Sequence, residues 1–441
     1  MKYRIREQNE LKPSGVEWLG DIPKGWCKSK MSYYYKAGMG QTILKEDLKD
    51  NGQIPVYSAT AEDKFFGFID DASILLNKND LVIPARGNSI GYVKLVKEIS
   101  TTTQTTIYCK KISKSIYSEF IFYYMKGLKE KLFYFVQTAI PQITVNEVLS
   151  NPILIPSILE QQKIANFLDE KSKIFDESIS KKEQLISKIE LAKQSLISEV
   201  VTGKLKIVEQ NSKLQTIKRE KNELKPSGVE WLSDIPKDWQ VKKLKYFTTK
   251  ITSGSTPLGG SETYLDEGIP LLRSQNVYFK GLSLDNVAYI SNEVHNQMKR
   301  SQLQERDILI NITGASIGRV AYVPLGFENG NVNQHVCIIR INHKIAYYKY
   351  ISLFLSINYG QDQVFINQVG TSREGLSFED LNNFSIVFPN LDEQQKISKY
   401  LDKKLIHFDN TIEKTKQSIT KLKEAKEAFI SQVVTGKIEV L

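Results

Sequence analysis

Along two stretches of the chain, residues 155–205 and 388–438, apolar residues recur at steps of three, four and seven. The first series is Ile164, Leu168, Phe175, Ile179, Ile186, Ile189, Leu196 and Val200. The second is Ile397, Leu401, Phe408, Ile412, Ile419, Leu422, Phe429 and Val433, at the same spacing. That period draws one narrow stripe on a helix, the seam of a coiled coil. Each stretch opens just after a proline with a capping box, Ser157 with Glu160 and Asn390 with Glu393. No Pro or Gly follows until Gly203 and Gly436, where a helix C-terminus favours glycine. A helix over residues 160–202 is about 60 Å long, too long to fold back on one small globule. The matching seam is the other copy, so an antiparallel helix pair with a globular domain at each end is expected.

Between the helical stretches the pattern turns to short β-type runs. LVIPARGNSIGYVKLV (81–96) matches ILINITGASIGRVAYV (308–323), each broken by a small-residue turn, and TTTQTTIYC (101–109) matches NVNQHVCII (331–339), each read as a strand with an amide-rich entry. An aromatic, helix-like stretch follows in each copy (118–135 and 349–365). A last short strand, PILIP (152–156) or SIVFP (385–389), then leads into the long helix. The leader repeats as well: NELKPSGVEWL occupies residues 9–19 and again 222–232, and the following Asp-Ile-Pro-Lys and Trp return as Asp234-Ile235-Pro236-Lys237 and Trp239. This is an internal duplication, and a pseudo-two-fold relation between the halves is expected. The reading is α+β: two α/β domains, each with a twisted and partly closed sheet, separated by two long antiparallel coiled-coil helices. The boundaries are residues 1–154 for the first domain with its leader, 155–205 for the first helix, 206–223 for a polar linker and strap, 224–387 for the second domain and 388–441 for the second helix.

Composition narrows the function. At 441 residues the chain is too long for one ordinary core, and 41% hydrophobic with 25% charged residues describes a folded chain. A net charge of +10 and a pI near 9.1 favour a polyanionic partner. The three cysteines, Cys27, Cys109 and Cys337, stand far apart, which suits a reducing compartment. The first ten residues lack the apolar core of a secretory signal, and no window approaches the ~20 apolar residues that span a membrane. The cytoplasm is the expected location.

Catalytic motifs do not emerge. GSTPLGGSE (254–262) lacks the Lys-Ser/Thr end of a phosphate loop, and the TGK at 202–204 lacks its upstream glycine. The four histidines and three cysteines show no metal-ligand spacing. Glu424-Ala425-Lys426 lies on the helical stretch, where such charges belong to the solvated face. There is no Asp/Asn-Pro-Pro-Tyr/Phe tetrapeptide and no Gly-rich S-adenosylmethionine loop. The chain reads as a recognition and assembly protein with no catalytic residues, no metal and no cofactor of its own.

Two differing domains on a rigid spacer suggest a reader of two separated half-sites on double-stranded DNA. At about 3.4 Å per base pair, the ~60 Å helix bounds the spacing at roughly 18 base pairs. Here the chain resembles the specificity subunit of a Type I restriction-modification system, the HsdS family. The resemblance is carried by the LKPSGVEWL leaders with DIPKGW and DIPKDW, the RGNSIG and TGASIG turns, the EQQKIANFLD and EQQKISKYLD helix starts and the closing VVTGK, and it covers almost the whole chain. It implies two target recognition domains, each reading one half of a bipartite, asymmetric target. It also implies docking of two modification subunits, which carry S-adenosylmethionine and methylate adenine N6 after flipping it from the duplex, and of two restriction subunits that translocate and cut. The paired helices and leaders would form the docking surface. The leader is expected to repeat because each half shows the same face to an identical partner.

Base edges are read best by Arg, Lys, Asn and Gln, with Ser and Thr suited to phosphate. The DNA-contact candidates are Arg86, Asn88, Ser89, Lys94, Gln104 and Thr106 in the first domain. In the second they are Arg273, Gln275, Asn276, Thr313, Ser316, Arg319, Asn333 and Gln334. The competing reading makes the turns core-facing hairpins and gives Gln104 and Gln334 to buried backbone. Two other functions compete: a scaffold or anti-restriction protein that occupies the modification subunits without reading DNA, and a single-chain methyltransferase or nuclease, for which the duplication leaves no room.

Overall fold

The computed structural model describes residues 2–133, 141–211, 213–368 and 375–441. The two periodic stretches are helices, Ile158–Val201 and Leu391–Val434, of 44 residues each. The chain divides into two compact units, Met1–Gln184 with Thr415–Leu441, and Leu185–Lys414. Each long helix therefore begins in one unit and ends in the other.

In the first unit the helix segments are antiparallel: the Phe167 and Phe429 rings lie 5.9 Å apart, and further along Lys426 Nζ donates to Asp176 at 2.7 Å. In the second unit Lys193 Nζ donates to Asp409 at 2.5 Å, while Ile197, Val200 and Val201 share a core with Ile397, Tyr400 and Leu401. All sixteen seam positions are buried or half-buried. Near each helix start the buried set widens to Ala165 and Phe167, or Ser398 and Tyr400, because there the helix also packs on its own globular part.

The repeated letters build one joint, made twice. The N-cap side chain accepts from the glutamate amide three residues on, Ser157 from Glu160 at 3.3 Å and Asn390 from Glu393 at 2.9 Å. The glutamate carboxylate reaches into the leader. Glu160 accepts from Trp26 Nε1 and from Arg6, both at 3.0 Å. Glu393 accepts from Trp239 Nε1 at 2.9 Å and from Arg219 at 3.3 Å. The next residue is wholly buried: Gln161 Oε1 accepts from Tyr117 N at 2.8 Å, as Gln394 does from Tyr347 N at 2.8 Å. The far end of the partner helix closes on the same tryptophan. Gly436 has φ +73° and a Cβ there would lie 2.3 Å from Pro23 Cγ; Gly203 has φ +78° with Pro236 Cγ at 2.4 Å. Leu19, Ile22 and Trp26 are buried, as are Leu232, Ile235 and Trp239. Much of the repeated leader is thus internal fastening, a role that its reading as a partner-facing segment did not include.

Each unit carries a four-stranded and a three-stranded sheet, with further two-stranded pairs, rather than one partly closed sheet. The four-stranded antiparallel sheet of the first unit runs Tyr35–Met39, Thr106–Lys111, Leu81–Pro84, Lys94–Leu95; that of the second runs Thr248–Ser253, Val336–Ile341, Ile308–Asn311, Val320–Tyr322. The three-stranded sheets run Thr101–Thr102, Ile54–Tyr57, Gly67–Ile69 and Asn331–Val332, Ile269–Leu272, Ala288–Ile290. The run 101–109, read as one strand, is two: a turn at Gln104–Thr105 hands the chain from the smaller sheet to the larger, and the run 331–339 breaks likewise. The aromatic stretches are also broken, into Ser118–Gly127 and Lys129–Leu132, and into Tyr348–Ser356 and Asn358–Gln368. Tyr134 and Phe135, at the end of the first, lie outside the described residues.

The expected linker is a β-hairpin, Leu205–Gln210 against Lys213–Lys218, with Thr216 opposite Ile207. Its charged residues hide the two-residue period, and only Ile207 is fully buried. In the first unit Tyr3–Ile5 pairs with Ile438–Val440, Tyr3 opposite Val440, in the equivalent register. The hairpin thus supplies in one unit the strand pair that the two chain ends make in the other.

Removing one member of a half-buried charged network leaves its partners unsatisfied, at a cost of about 2 kcal/mol. Glu393→Ala is expected to lower the urea midpoint of the full chain, whereas Glu230→Ala, at an exposed position of the leader, leaves it unchanged. Equal midpoints for the two variants contradict the joint.

Candidate nucleic-acid interface

The RGNSIG and TGASIG turns leave the central strands of the two four-stranded sheets. The first glycine of each, Gly87 or Gly314, has positive φ and open space around it; the second, Gly91 or Gly318, has positive φ and sits against a helix. A Cβ on Gly91 would lie 2.5 Å from the Phe133 ring, and one on Gly318 2.6 Å from Gln361 Oε1. Gln361 Nε2 donates to Gly318 O at 2.9 Å and Leu355 O at 2.7 Å. One side of each turn is pinned to a helix, and the tip is left outward.

In the second unit the tip forms a cleft of about 490 Å³. Gln275, Thr313, Ser316 and Arg319 line it, and with them Ser274, Tyr278 and His335. Arg319 lies 5.0 Å over the Tyr278 ring, and no carboxylate pairs with its guanidinium among the described residues. Beneath the cleft the fully buried Asn311 donates to Ser274 O at 2.8 Å and Ser316 Oγ at 3.0 Å, joining the 274 turn to the 316 turn. Thr313 Oγ1 lies 2.5 Å from His335 Nδ1. The chemistry is that of an anion and base-edge reader: one unpaired cation held on a ring, amide and hydroxyl groups, and no carboxylate in the lining.

Five candidates have internal bonds, and four of them are buried away from this surface. Lys94 is 2% exposed, donates to Ser58 O and Thr60 Oγ1 at 3.0 and 2.7 Å, and burial pushes its pKa down. Thr106 is fully buried, with its hydroxyl on Thr103 O at 2.8 Å. Asn276 is fully buried, accepting from Arg273 N and donating to Ser283 O, both at 3.0 Å. Asn333, 7% exposed, accepts from His335 N at 3.1 Å. Arg273 is half-buried, donates to Asn286 O at 3.2 Å and lies 5.6 Å over the Tyr264 ring. All five were chosen by residue type, which carries no sign of burial.

In the first unit Arg86 and Asn88 are exposed on the turn and Ser89 is half-buried there. The cavity of about 390 Å³ beside this turn lies on its helical side, lined by Tyr92, Lys94 and Lys129, away from Arg86 and Asn88. Gln104 and Gln334 are both exposed at the corner between the two sheets, and each accepts from a threonine hydroxyl: Thr42 to Gln104 at 3.0 Å and Thr256 to Gln334 at 2.8 Å. Sequence reasoning missed these threonines, together with His335, Tyr278 and Asn311. The available signal was the glycine two residues before each threonine, in MGQT and SGST.

No helix among the described residues is long and apolar enough to cross a membrane. The three cysteines are unpaired, Cys109 and Cys337 buried and Cys27 exposed.

The family model described as "Type I restriction modification DNA specificity domain" matches the chain twice, over residues 23–191 and 236–424. The Type I restriction enzyme MjaIX specificity subunit of Methanocaldococcus jannaschii is 24% identical over 461 residues, 99% of this chain and 98% of that protein. The EcoBI specificity subunit of Escherichia coli is 25% identical over 292 residues, 64% of this chain; the match spans 58% of that protein's length. A solved structure described as the structural basis underlying complex assembly and conformational transition of the type I R-M system has a chain with TM-score 0.68 at 15% identity. It covers 94% of this chain and 99% of that one, a likeness of fold. The chain belongs to the Type I restriction modification DNA specificity family and carries its domain in two copies: it is a DNA-recognition component, not an enzyme.

Proposed function

We propose that this chain is the subunit that sets the DNA sequence acted on by a Type I restriction-modification complex, each unit reading one half of a bipartite, asymmetric target. The observation that carries this reading is one frame bearing different readers. Sheets, turn, glutamine corner and helix joint repeat, while the outward side chains differ: Arg86 and Asn88 stand where the second unit has Thr313 and Ala315, and Tyr92 where it has Arg319. An identical place with different donors and acceptors is what two unlike half-sites require.

The helix pair, continuous from one unit to the other in sequence, fixes the gap between the half-sites. Two modification subunits dock on the repeated surface. Exposed leader positions that are identical in both copies support this: Pro13, Gly15 and Glu17 return as Pro226, Gly228 and Glu230, all exposed. An exposed tyrosine also repeats, Tyr33 at 69% and Tyr246 at 67%. S-adenosylmethionine belongs to the modification subunits, which methylate adenine N6; restriction subunits joining the complex cleave unmodified DNA. The scaffold reading, in which the chain only occupies modification subunits, leaves the uncovered Arg319 and the cleft without a task.

Co-expressed with its modification subunit, the chain is expected to direct N6-methyladenine to one two-part motif with a fixed gap, and the motif disappears when the chain is omitted. Methylation that is absent or unchanged without the chain contradicts the reading and supports the scaffold. Within the complex, Arg319→Ala is expected to slow methylation of that motif about tenfold, the worth of one good contact to a base or phosphate. An unchanged rate removes Arg319 from the interface.

A further inference from the structure

We propose that Gln334 reads an adenine in the half-site of the second unit, and that Thr256 and His335 are the positioning residues that restrict its amide to that base. The inference rests on the DNA-reading function above and names a base, a reader and the groups that set it.

The corner that carries Gln334 is fixed by backbone. Asn331–Val332 belongs to the three-stranded sheet and Val336–Ile341 to the four-stranded one, so residues 333–335 turn between them. The segment from Gly254 lies directly against this turn: Gly254 N donates to Asn333 O at 3.1 Å, and a Cβ on Gly254 would fall 1.6 Å from Val332 O. That approach brings Thr256 Oγ1 to 2.8 Å from Gln334 Oε1. On its other side the amide nitrogen lies 3.0 Å from His335 Nε2, and His335 Nδ1 lies 2.5 Å from Thr313 Oγ1. The result is a chain of four side chains, Thr256–Gln334–His335–Thr313, in which Gln334 and Thr256 are exposed and His335 and Thr313 half-buried.

Counting donors and acceptors identifies the base. A primary amide has two N–H donors and two oxygen lone pairs. With neutral His335, its Nδ1–H donates to Thr313 and its Nε2 accepts one amide N–H, while the amide oxygen accepts from Thr256. One N–H and one lone pair remain. Reversing the sense of every bond, with the amide flipped and the other histidine tautomer, leaves the same remainder. In the major groove adenine offers one acceptor and one donor, N7 and N6. Guanine offers two acceptors, cytosine a donor, and thymine an acceptor beside a methyl group. Adenine alone satisfies both remaining groups.

The first unit repeats half of this device. Gly40 is pressed to the same corner, where a Cβ would fall 2.2 Å from Thr103 O, and Thr42 donates to Gln104 Oε1 at 3.0 Å. Threonine occupies position 105, where the second unit has histidine. A threonine-held glutamine at the same exposed corner of two domains whose sequences have otherwise diverged is not needed to close that corner, since the sheet pairings and the glycine contact already do so.

The test uses the full chain with its modification subunit and a genome-wide N6-methyladenine map for the wild type, Gln334→Ala, Thr256→Val and Thr256→Ser. In Gln334→Ala one position of one half-site, adenine in the wild type, is expected to accept other bases with at least about tenfold less discrimination, the other half-site staying unchanged. In Thr256→Val nothing holds the amide oxygen, so the amide can turn over against the other histidine tautomer with both N–H groups free, and guanine joins adenine at that position; Thr256→Ser keeps the hydroxyl and the wild-type motif. A Gln334→Ala map that retains every base of the wild-type motif overturns the proposal. So does relaxation at a position that is not adenine. So does an equal loss at both half-sites with Thr256→Ser as impaired as Thr256→Val, which assigns the cluster to holding the corner. A wild type with no chain-dependent motif instead strikes the function proposed above, so the two failures are separable.

Discussion

The carboxylate three residues into each long helix is the interaction on which the rest of this architecture depends. Glu160 and Glu393 lie where a helix N-terminus already favours negative charge, and each then takes an indole N–H and an arginine from the leader. That one group ties the helix start to the leader of its unit. Gly436 and Gly203 bring the end of the other helix onto the same tryptophan. A helix seam of one apolar residue per turn tolerates sliding by whole turns; an ion pair and a hydrogen bond at the terminus do not. The joint therefore fixes the register of a helix pair whose seam alone would leave it open.

The same joint accounts for what the sequence could and could not disclose. The long helices were legible because a three-four-seven period over forty residues has no other reading, and the duplication was legible because letters such as Trp26 and Trp239 recur with their neighbours. The break in the 101–109 run was not legible: threonines and a glutamine suit a strand, and the turn comes from Gly40 pressing on Thr103 from far away in sequence. The 205–218 hairpin escaped because one buried isoleucine is too weak a period-two signal. Among site residues, the glycines of the two turns located the tip, but side-chain type could not separate exposed Arg86 and Gln334 from buried Lys94 and Asn276. Burial is decided by which strand faces which sheet, and that is a tertiary fact.

The two units also differ in how their tips are finished. The second has Asn311 under its turn, drawing the 274 and 316 segments into a cleft; the first has Pro84 at the matching place, which has no side-chain donor to offer, and its turn stands open with Arg86 and Asn88 exposed. Frame and reader are thus separable in this chain. The frame is carried by glycines, buried aromatics and backbone pairing, and the side chains proposed as the reader stand on it at exposed or half-buried positions.

That separation is the central claim, and a graft tests it directly. The neck strands Cys27–Lys30 with Pro152–Ile155 and Gln240–Lys243 with Ser385–Phe388 pair in the same way, so residues 27–155 can replace residues 240–388 with Gly203, Arg219, Trp239 and Glu393 left in place and Tyr117 standing in for Tyr347. Co-expressed with the modification subunit, such a chain carries the first reader twice, and its methylation map is expected to show one half-site repeated in inverted orientation, the second original half-site having vanished. A map that keeps the original asymmetric motif would contradict the account, because the bases would then be chosen outside the exchanged domain.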